Sequence, residues 1–128
     1  MTSLVLKKSF KATAAAIAGF LIAKHSAANG TIEVASSSTD PLIGAVDSLG
    51  VEASGLADFN LAGMAPVRLG GAVAAGDPLT SDANAKAIKA LPANSTQVRI
   101  IGFALAAGVA DDIIDYHIAP GCLSKASA

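Results

Sequence analysis

Asp111, Asp112, Asp115 and His117 form the densest group of side chains in this sequence able to move a proton or hold a cation. A metal ion needs several oxygen or nitrogen ligands converging on one point, and this run lacks the glycine spacing and closing glutamate of a calcium loop. Solvated turn charges are the reading it favours. A hydrolase would need Asp112, Asp115 and His117 gathered around one pocket. Strand alternation puts Asp115 and His117 on one face with Tyr116 on the other, which permits that arrangement but brings no nucleophile to it. The remaining candidates stand alone. His25 has no partner motif, and Cys122, the single cysteine, has no histidine or acid arranged around it and reads as a small packing residue of a reducing compartment. Gly70, Gly71 and Gly76 lack the spacing of a phosphate-binding loop, and no lysine-serine pair follows them. No residue is assigned here as catalytic, as a metal ligand or to a cofactor, and the sequence reads as a structural or binding module, not an enzyme.

The elements that carry these residues are short strands. Residues 99–105 and 113–121 read as two strands closing a small barrel, and a shorter echo runs from Ile43-Gly44 through Gly55-Leu56-Ala57-Asp58 to Gly63. Both passages follow one pattern: Ile-Gly, apolar strand, Gly-apolar-Ala-Asp, second strand. Residues 19–24 pair with 31–35 across a turn containing Asn29-Gly30, a dipeptide suited to the positive backbone angles of tight hairpins. Ser36 to Pro41 is a polar turn, residues 42–46 a buried strand, 47–55 a loop and 57–62 a strand. Val67 and Leu69 on one face, with Arg68 on the other, give residues 64–69 the period of a half-exposed strand. Gly76-Asp77-Pro78 is a turn, and residues 82–86 are a hairpin tip, although alanine density also allows a helix over 83–90. The expected fold is mainly β: a small β-barrel, tulip-like or sandwich domain with an extended N-terminal arm and little helix.

Composition bounds the rest. At 128 residues the chain fits one domain. It is 52% hydrophobic but only 4% aromatic, so its core is built from small aliphatic side chains. Charged residues make up 15%, below the usual quarter, which implies that another subunit covers part of the surface. A net charge of −1 argues against nucleic acid as a partner.

Lys7, Lys8 and Lys11 ahead of residues 12–23 imitate a secretory signal, and a secreted or cell-surface β-domain with a cleaved leader is the reading this supports. Against it, Thr13 and Gly19 dilute the apolar run, which is also too short for a membrane helix. The favoured division is an arm over residues 1–11 and a single β-rich domain over 12–128, with the secreted domain as its alternative. In that arm Leu4, Val5 and Leu6 supply apolar contact, Lys7 and Lys8 charge, and Phe10 an anchor.

Several of these segments together resemble the head decoration, or capsid cement, proteins of tailed bacteriophages. They are the arm ending Lys7-Lys8-Ser9-Phe10, Lys24 with Asn29-Gly30, Asp40-Pro41-Leu42-Ile43-Gly44, Gly76-Asp77-Pro78-Leu79-Thr80-Ser81-Asp82, and Arg99-Ile100-Ile101-Gly102 with Ile118-Ala119-Pro120-Gly121. The similarity runs from Phe10 to Leu123, and its most specific piece is the segment from Gly76 to Asp82. It departs from that pattern in the alanine-rich stretch at 12–18 and the long loop at 47–56. The resemblance implies a virion protein made in the host cytoplasm that binds the outer surface of the head and bridges subunits of the major capsid protein. It also implies self-association, commonly as homotrimers and sometimes as dimers, with no membrane, nucleic acid or cofactor. A phage tail accessory barrel is the neighbouring reading.

Overall fold

The computed structural model describes residues 7–125 apart from 14, 47–49, 62 and 94, with backbone alone at 7, 8, 57, 58 and 60. Among the described residues there are ten strands and no helix: β1 (Lys7–Ala12), β2 (Ile22–His25), β3 (Thr31–Val34), β4 (Leu42–Ala45), β5 (Leu56–Asn60), β6 (Met64–Arg68), β7 (Pro78–Ser81), β8 (Ala87–Lys89), β9 (Gln97–Ala104) and β10 (Ile113–Ser124). They form two five-stranded sheets, ordered β4-β2-β3-β1-β5 and β6-β10-β9-β7-β8. Every pairing is antiparallel except β1 with β3. The outer strands β4 and β5 come back into contact, which curls the first sheet. In the second, Leu69 just past β6 bridges Ala87 of β8, and the Gly70 N–H donates to the Ala87 carbonyl at 2.7 Å, so one bridge spans the seam between its outer strands. The expectation of a small, mainly β domain with barrel-like curvature holds.

Side-chain alternation explains the two cores. In β10, Ile114, Tyr116 and Ile118 point inward while Ile113, Asp115 and His117 point out. The first sheet is buried on both faces: Ile22 enters the larger cluster with Val67, Leu79, Ile101 and Tyr116, whereas its neighbour Ala23 enters a second cluster with Phe10, Ile32 and Phe59. β4 is consequently a continuous apolar run. Leu42 and Ala45 face the larger cluster and Ile43 and Val46 the smaller, a spacing that strict alternation does not give. A register shift between Ala23 and Lys24, and Gly44 at φ 154°, accommodate it.

Local turn chemistry settles most boundaries. Gly30 adopts φ 76° at the β2–β3 turn, and Gly76 adopts φ 91° ahead of Asp77, whose carboxylate accepts the Ala74 N–H at 2.8 Å. Residues 83–90 form a hairpin and not a helix. The Asp82 carboxylate takes the N–H groups of Asn84 and Lys86 at 2.8 and 2.9 Å, and the ladder Leu79–Lys89, Thr80–Ile88, Ser81–Ala87 outweighs alanine's helical preference.

The start of the chain differs from the expected division at residue 11. Lys7–Ala12 is not a free arm but an inner strand, paired with β5 from Lys7↔Asn60 to Lys11↔Leu56 and with β3 at Lys11 and Ala12. The strand expected at 19–24 begins later, at Ile22, because Gly19 and Phe20 make a turn with Phe20 at φ 66°. Loss of the first two dozen residues as a leader would strip β1 and most of β2 from this fold.

The two Ile-Gly segments of the repeat fall on different sheets, in β4 and β9, and their glycines have matching φ values of 154° and 152°. They flank consecutive residues of β10. A Cβ on Gly44 would lie 2.8 Å from the Tyr116 hydroxyl, and one on Gly102 would collide with the His117 carbonyl. The Tyr116 hydroxyl in turn accepts the Ala45 N–H at 3.2 Å, joining the sheets. Tyr116→Phe leaves that buried N–H without an acceptor and is expected to cost about 1–3 kcal/mol in urea unfolding. Gly44→Ala is expected to destabilise wild type more than it destabilises Tyr116→Phe, because the colliding oxygen is then absent. Strictly additive losses in that double-mutant cycle would refute the contact.

Candidate functional site

The residues expected to do chemistry are spread over the molecule, each with a separate task. Asp111 adopts φ 70° in the β9–β10 turn, and its carboxylate binds the Lys86 ammonium at 2.6 Å. Its backbone carbonyl accepts Arg68 Nη1 at 3.1 Å. The hydrogen bond from Lys86, then the Lys86 and Arg68 charges, hold the Asp111 carboxyl below the usual range. Asp112 accepts the Val109 N–H at 3.0 Å and shapes the same turn, while Asp115 lies exposed on the outer side of β10. Among the described residues no group of three His, Cys, Asp or Glu side chains could hold a metal ion.

His117 lies beside Asp115 on that outer face, with Tyr116 opposite, as alternation requires. Burial pushes the Tyr116 hydroxyl up, against a smaller lowering by the Ala45 hydrogen bond, so it remains a neutral structural group. His25 sets its ring edge-on to Phe10, with centroids 5.7 Å apart. Cys122 is exposed and pairs across the ladder with Arg99.

Of the residues expected to dock the N-terminal arm, Leu4, Val5 and Leu6 lie outside the described residues. Lys7 and Lys8 are placed by backbone in β1, opposite Asn60 and Phe59. Phe10 is not a surface anchor: it is buried in the second cluster, edge-on to Phe59 at 5.6 Å. Its apolar ring sits where the alternation of β1 faces that cluster, so the core takes it.

Clefts among the described residues include two of note. The larger, about 400 Å³, is lined by Ala18, Gly19, Phe20, Leu21, Arg68, Lys86 and Asp111. Lys86 pairs with the Asp111 carboxylate and Arg68 with the Asp111 backbone carbonyl, which ties the β9–β10 turn to the β7–β8 hairpin and to β6. The smaller, about 240 Å³, lies between Thr39 and the Arg99–Cys122 rung. A third group, missed in the sequence, lies on the outer face of the second sheet, where Met64, Phe103, Leu105 and Ile113 are exposed with His117 and Asp115 of β10 among them. Alternation gives the outward set of each strand, but cross-strand register, which sets them side by side, is not written locally.

A further charge cluster is structural. Lys24 on β2 meets Glu33 on β3 at 3.4 Å and Asp40 ahead of β4 at 3.3 Å, tying three segments of the first sheet together. Burial alone would raise Asp40, but the Ser36 N–H at 2.9 Å and Lys24 outweigh it and bring the carboxyl below its ordinary value. Lys24 moves up: burial opposes this, and Asp40 and Glu33 outweigh it.

No protein-family model and no curated protein matches the chain. Among solved structures, it is similar to the N base of head fiber gp8.5 in bacteriophage phi29, with a TM-score of 0.65 and 18% identity, covering 91% of this chain and 95% of that one. At that identity the likeness is one of fold, and it spans both sheets. The fold is thus shared with a phage head protein.

The charge cluster makes a pH-dependent prediction. Asp40, depressed when folded, contributes stability above its ordinary value and loses it as pH falls through its folded value. Lys24, raised when folded, contributes below the ordinary lysine value and loses it as pH rises through its own. Asp40→Asn is expected to cost about 1 kcal/mol at neutral pH, and the gap between the two melting temperatures should close as pH drops below about 4. A gap of constant size across that range would exclude the carboxylate as its source.

Proposed function

We propose that this chain is a structural protein of a tailed-phage head, a decoration or cement subunit that covers the outer shell surface and bridges neighbouring copies of the major capsid protein. The observation that carries the reading is the fold shared with a phage head-fiber base across nearly the whole of both chains. The resemblance of the turn segments to cement proteins supports it independently. The bonds around the larger cleft agree with it: Lys86 to the Asp111 carboxylate and Arg68 to the Asp111 backbone carbonyl fasten a turn to its neighbours, as in a scaffold.

In this role the segment ahead of β1, carrying Leu4, Val5 and Leu6, reaches to the shell from a fixed origin. Phe10 in the core and the β1–β5 ladder set that origin. An extended segment can add backbone hydrogen bonds along an exposed sheet edge of its partner, and many modest contacts add up over a shell through multivalency.

The test is reconstitution. Purified protein mixed with heads of its own phage assembled without it should co-sediment and add density outside the shell in direct images. Removing residues 2–6 should weaken that binding while leaving the thermal melt of the free protein unchanged. Heads that gain no density from the intact protein would rule out the cement role, and full occupancy by the truncated form would rule out the segment's part in it.

A further inference from the structure

The larger cleft holds a cation that no anion balances. Four segments meet there: the turn at residues 18–21, the end of β6, the tip of the β7–β8 hairpin and the β9–β10 turn. Backbone bonds fix the first against the others, since the Arg68 N–H donates to the Phe20 carbonyl at 3.0 Å and the Ile22 N–H to the Ala85 carbonyl at 2.8 Å. Lys86 is paired with the Asp111 carboxylate at 2.6 Å. Arg68 has no such partner: its Nη1 donates to the Asp111 backbone carbonyl at 3.1 Å, and no carboxylate among the described residues forms an ion pair with it. Neighbouring carboxylates are turned into their own loops, Asp82 on the N–H groups of Asn84 and Lys86, and Asp112 on that of Val109. The lining thus carries two cations against one carboxylate, on a chain whose net charge is −1. Its walls are also strained. Phe20 and Asp111, at φ 66° and 70°, line the cleft, and Ala85, at 63°, precedes Lys86. Non-glycine residues rarely adopt such backbone, bulky ones least of all, and strain of this kind collects at ligand clamps.

We propose that this cleft is a binding site for a carboxylate on a short aliphatic stem, the chemistry shared by a glutamate side chain and a small free acid. One guanidinium nitrogen of Arg68 is engaged, and the N–H donors on the others form the planar fork that a carboxylate meets with both its oxygens. The Lys86 ammonium stands beside that fork and has further N–H groups to share. Ala18, Phe20 and Leu21 give the methylenes of the stem an apolar wall. At about 400 Å³ the cleft lies toward the small end of ligand sites, which suits one such group. Charge selects among anions. A monoanion balances the excess cation and leaves the Lys86–Asp111 pair in place, whereas a phosphate near its dianionic form sets a second negative charge against Asp111. The proposal concerns the chain by itself and is independent of the head reading.

The test is a nuclear magnetic resonance titration of the full chain at constant ionic strength. The ligands are sodium butyrate, its neutral amide, inorganic phosphate, and blocked Gly-Glu-Gly and Gly-Gln-Gly peptides. Butyrate should shift the amide signals of Leu21 and Lys86 saturably, with phosphate weaker and the neutral amide without effect. Binding of Gly-Glu-Gly as well as butyrate assigns the site to a partner's side chain, and binding of butyrate alone assigns it to a free acid. Arg68→Gln should weaken binding roughly tenfold, and Arg68→Lys, which keeps the charge but loses the fork, by less. Thermal melts establish that each variant is folded, and Arg68→Lys carries the comparison if loss of the bond to Asp111 unfolds Arg68→Gln. Shifts that never saturate, equal binding of the neutral amide or of Gly-Gln-Gly, phosphate binding as tightly as butyrate, or folded Arg68 variants that bind like wild type would each overturn the proposal. Any of these would leave the head reading standing, since that rests on the fold.

Discussion

The two sheets meet over one shared core, and inside it the Tyr116 hydroxyl accepts the Ala45 N–H in the space that Gly44 leaves empty, alongside backbone bonds from the Ile22 N–H to the Ala85 carbonyl at 2.8 Å and from the Arg68 N–H to the Phe20 carbonyl at 3.0 Å. β4 is the outer strand of its sheet and has only β2 beside it. Its ladder to β2 leaves the Ala45 N–H pointing away, and a buried donor without an acceptor is costly. Tyr116 resolves that cost from the middle of the other sheet, and its ring fills the larger cluster at the same time. Placement of β4 by this bond is what lets Leu42 and Ala45 join the larger core while Ile43 and Val46 close the smaller one.

From that joint the use of small side chains follows. A sheet buried on both faces needs apolar residues at consecutive positions, and large ones on both sides would hold the layers too far apart for close packing. Alanine at positions 23, 35, 45, 65, 85, 87 and 104 keeps the layers close. Phe10, Phe59 and Tyr116 then supply the bulk at fixed points, two of them paired edge-on across the β1–β5 ladder. Tolerance of a side chain at Gly102 would be low for the same reason, since the backbone of β10 passes over it.

What the sequence made legible was local. The Asn29-Gly30 and Gly76-Asp77-Pro78 turns, the alternation of residues 113–118, and the β7–β8 hairpin all depend on neighbours within a few residues, and their boundaries fell near the expected places. What it concealed was long-range. The lysines of β1 and its place before an apolar stretch suggested a loose arm, and only the ladder to β5, about fifty residues away, makes it an inner strand. Tyr116 and Ala45 are 71 residues apart, and nothing near either announces the other. The same applies to the face formed by Met64, His117 and Phe103, which depends on three strands meeting in one register.

The low charge of the chain leaves large apolar side chains at its surface, among them Leu56, Met64 and Leu91. Small aliphatic cores explain the hydrophobic content but not a shortage of surface charge, because a small core leaves more surface to solvate. On the first sheet, Lys24, Glu33 and Asp40 supply an ordinary polar exterior. Around the larger cleft, Arg68, Lys86 and Asp111 do likewise. On the second sheet, Met64, Pro66, Phe103 and Leu105 stand outward on either side of Asp115 and His117, while Arg68 and Arg99 keep charge at other outward positions of β6 and β9. Large apolar side chains left exposed on neighbouring strands are the kind of surface that interactions cover, and the charges between and beside them set where such a contact can close without burying an unpaired group.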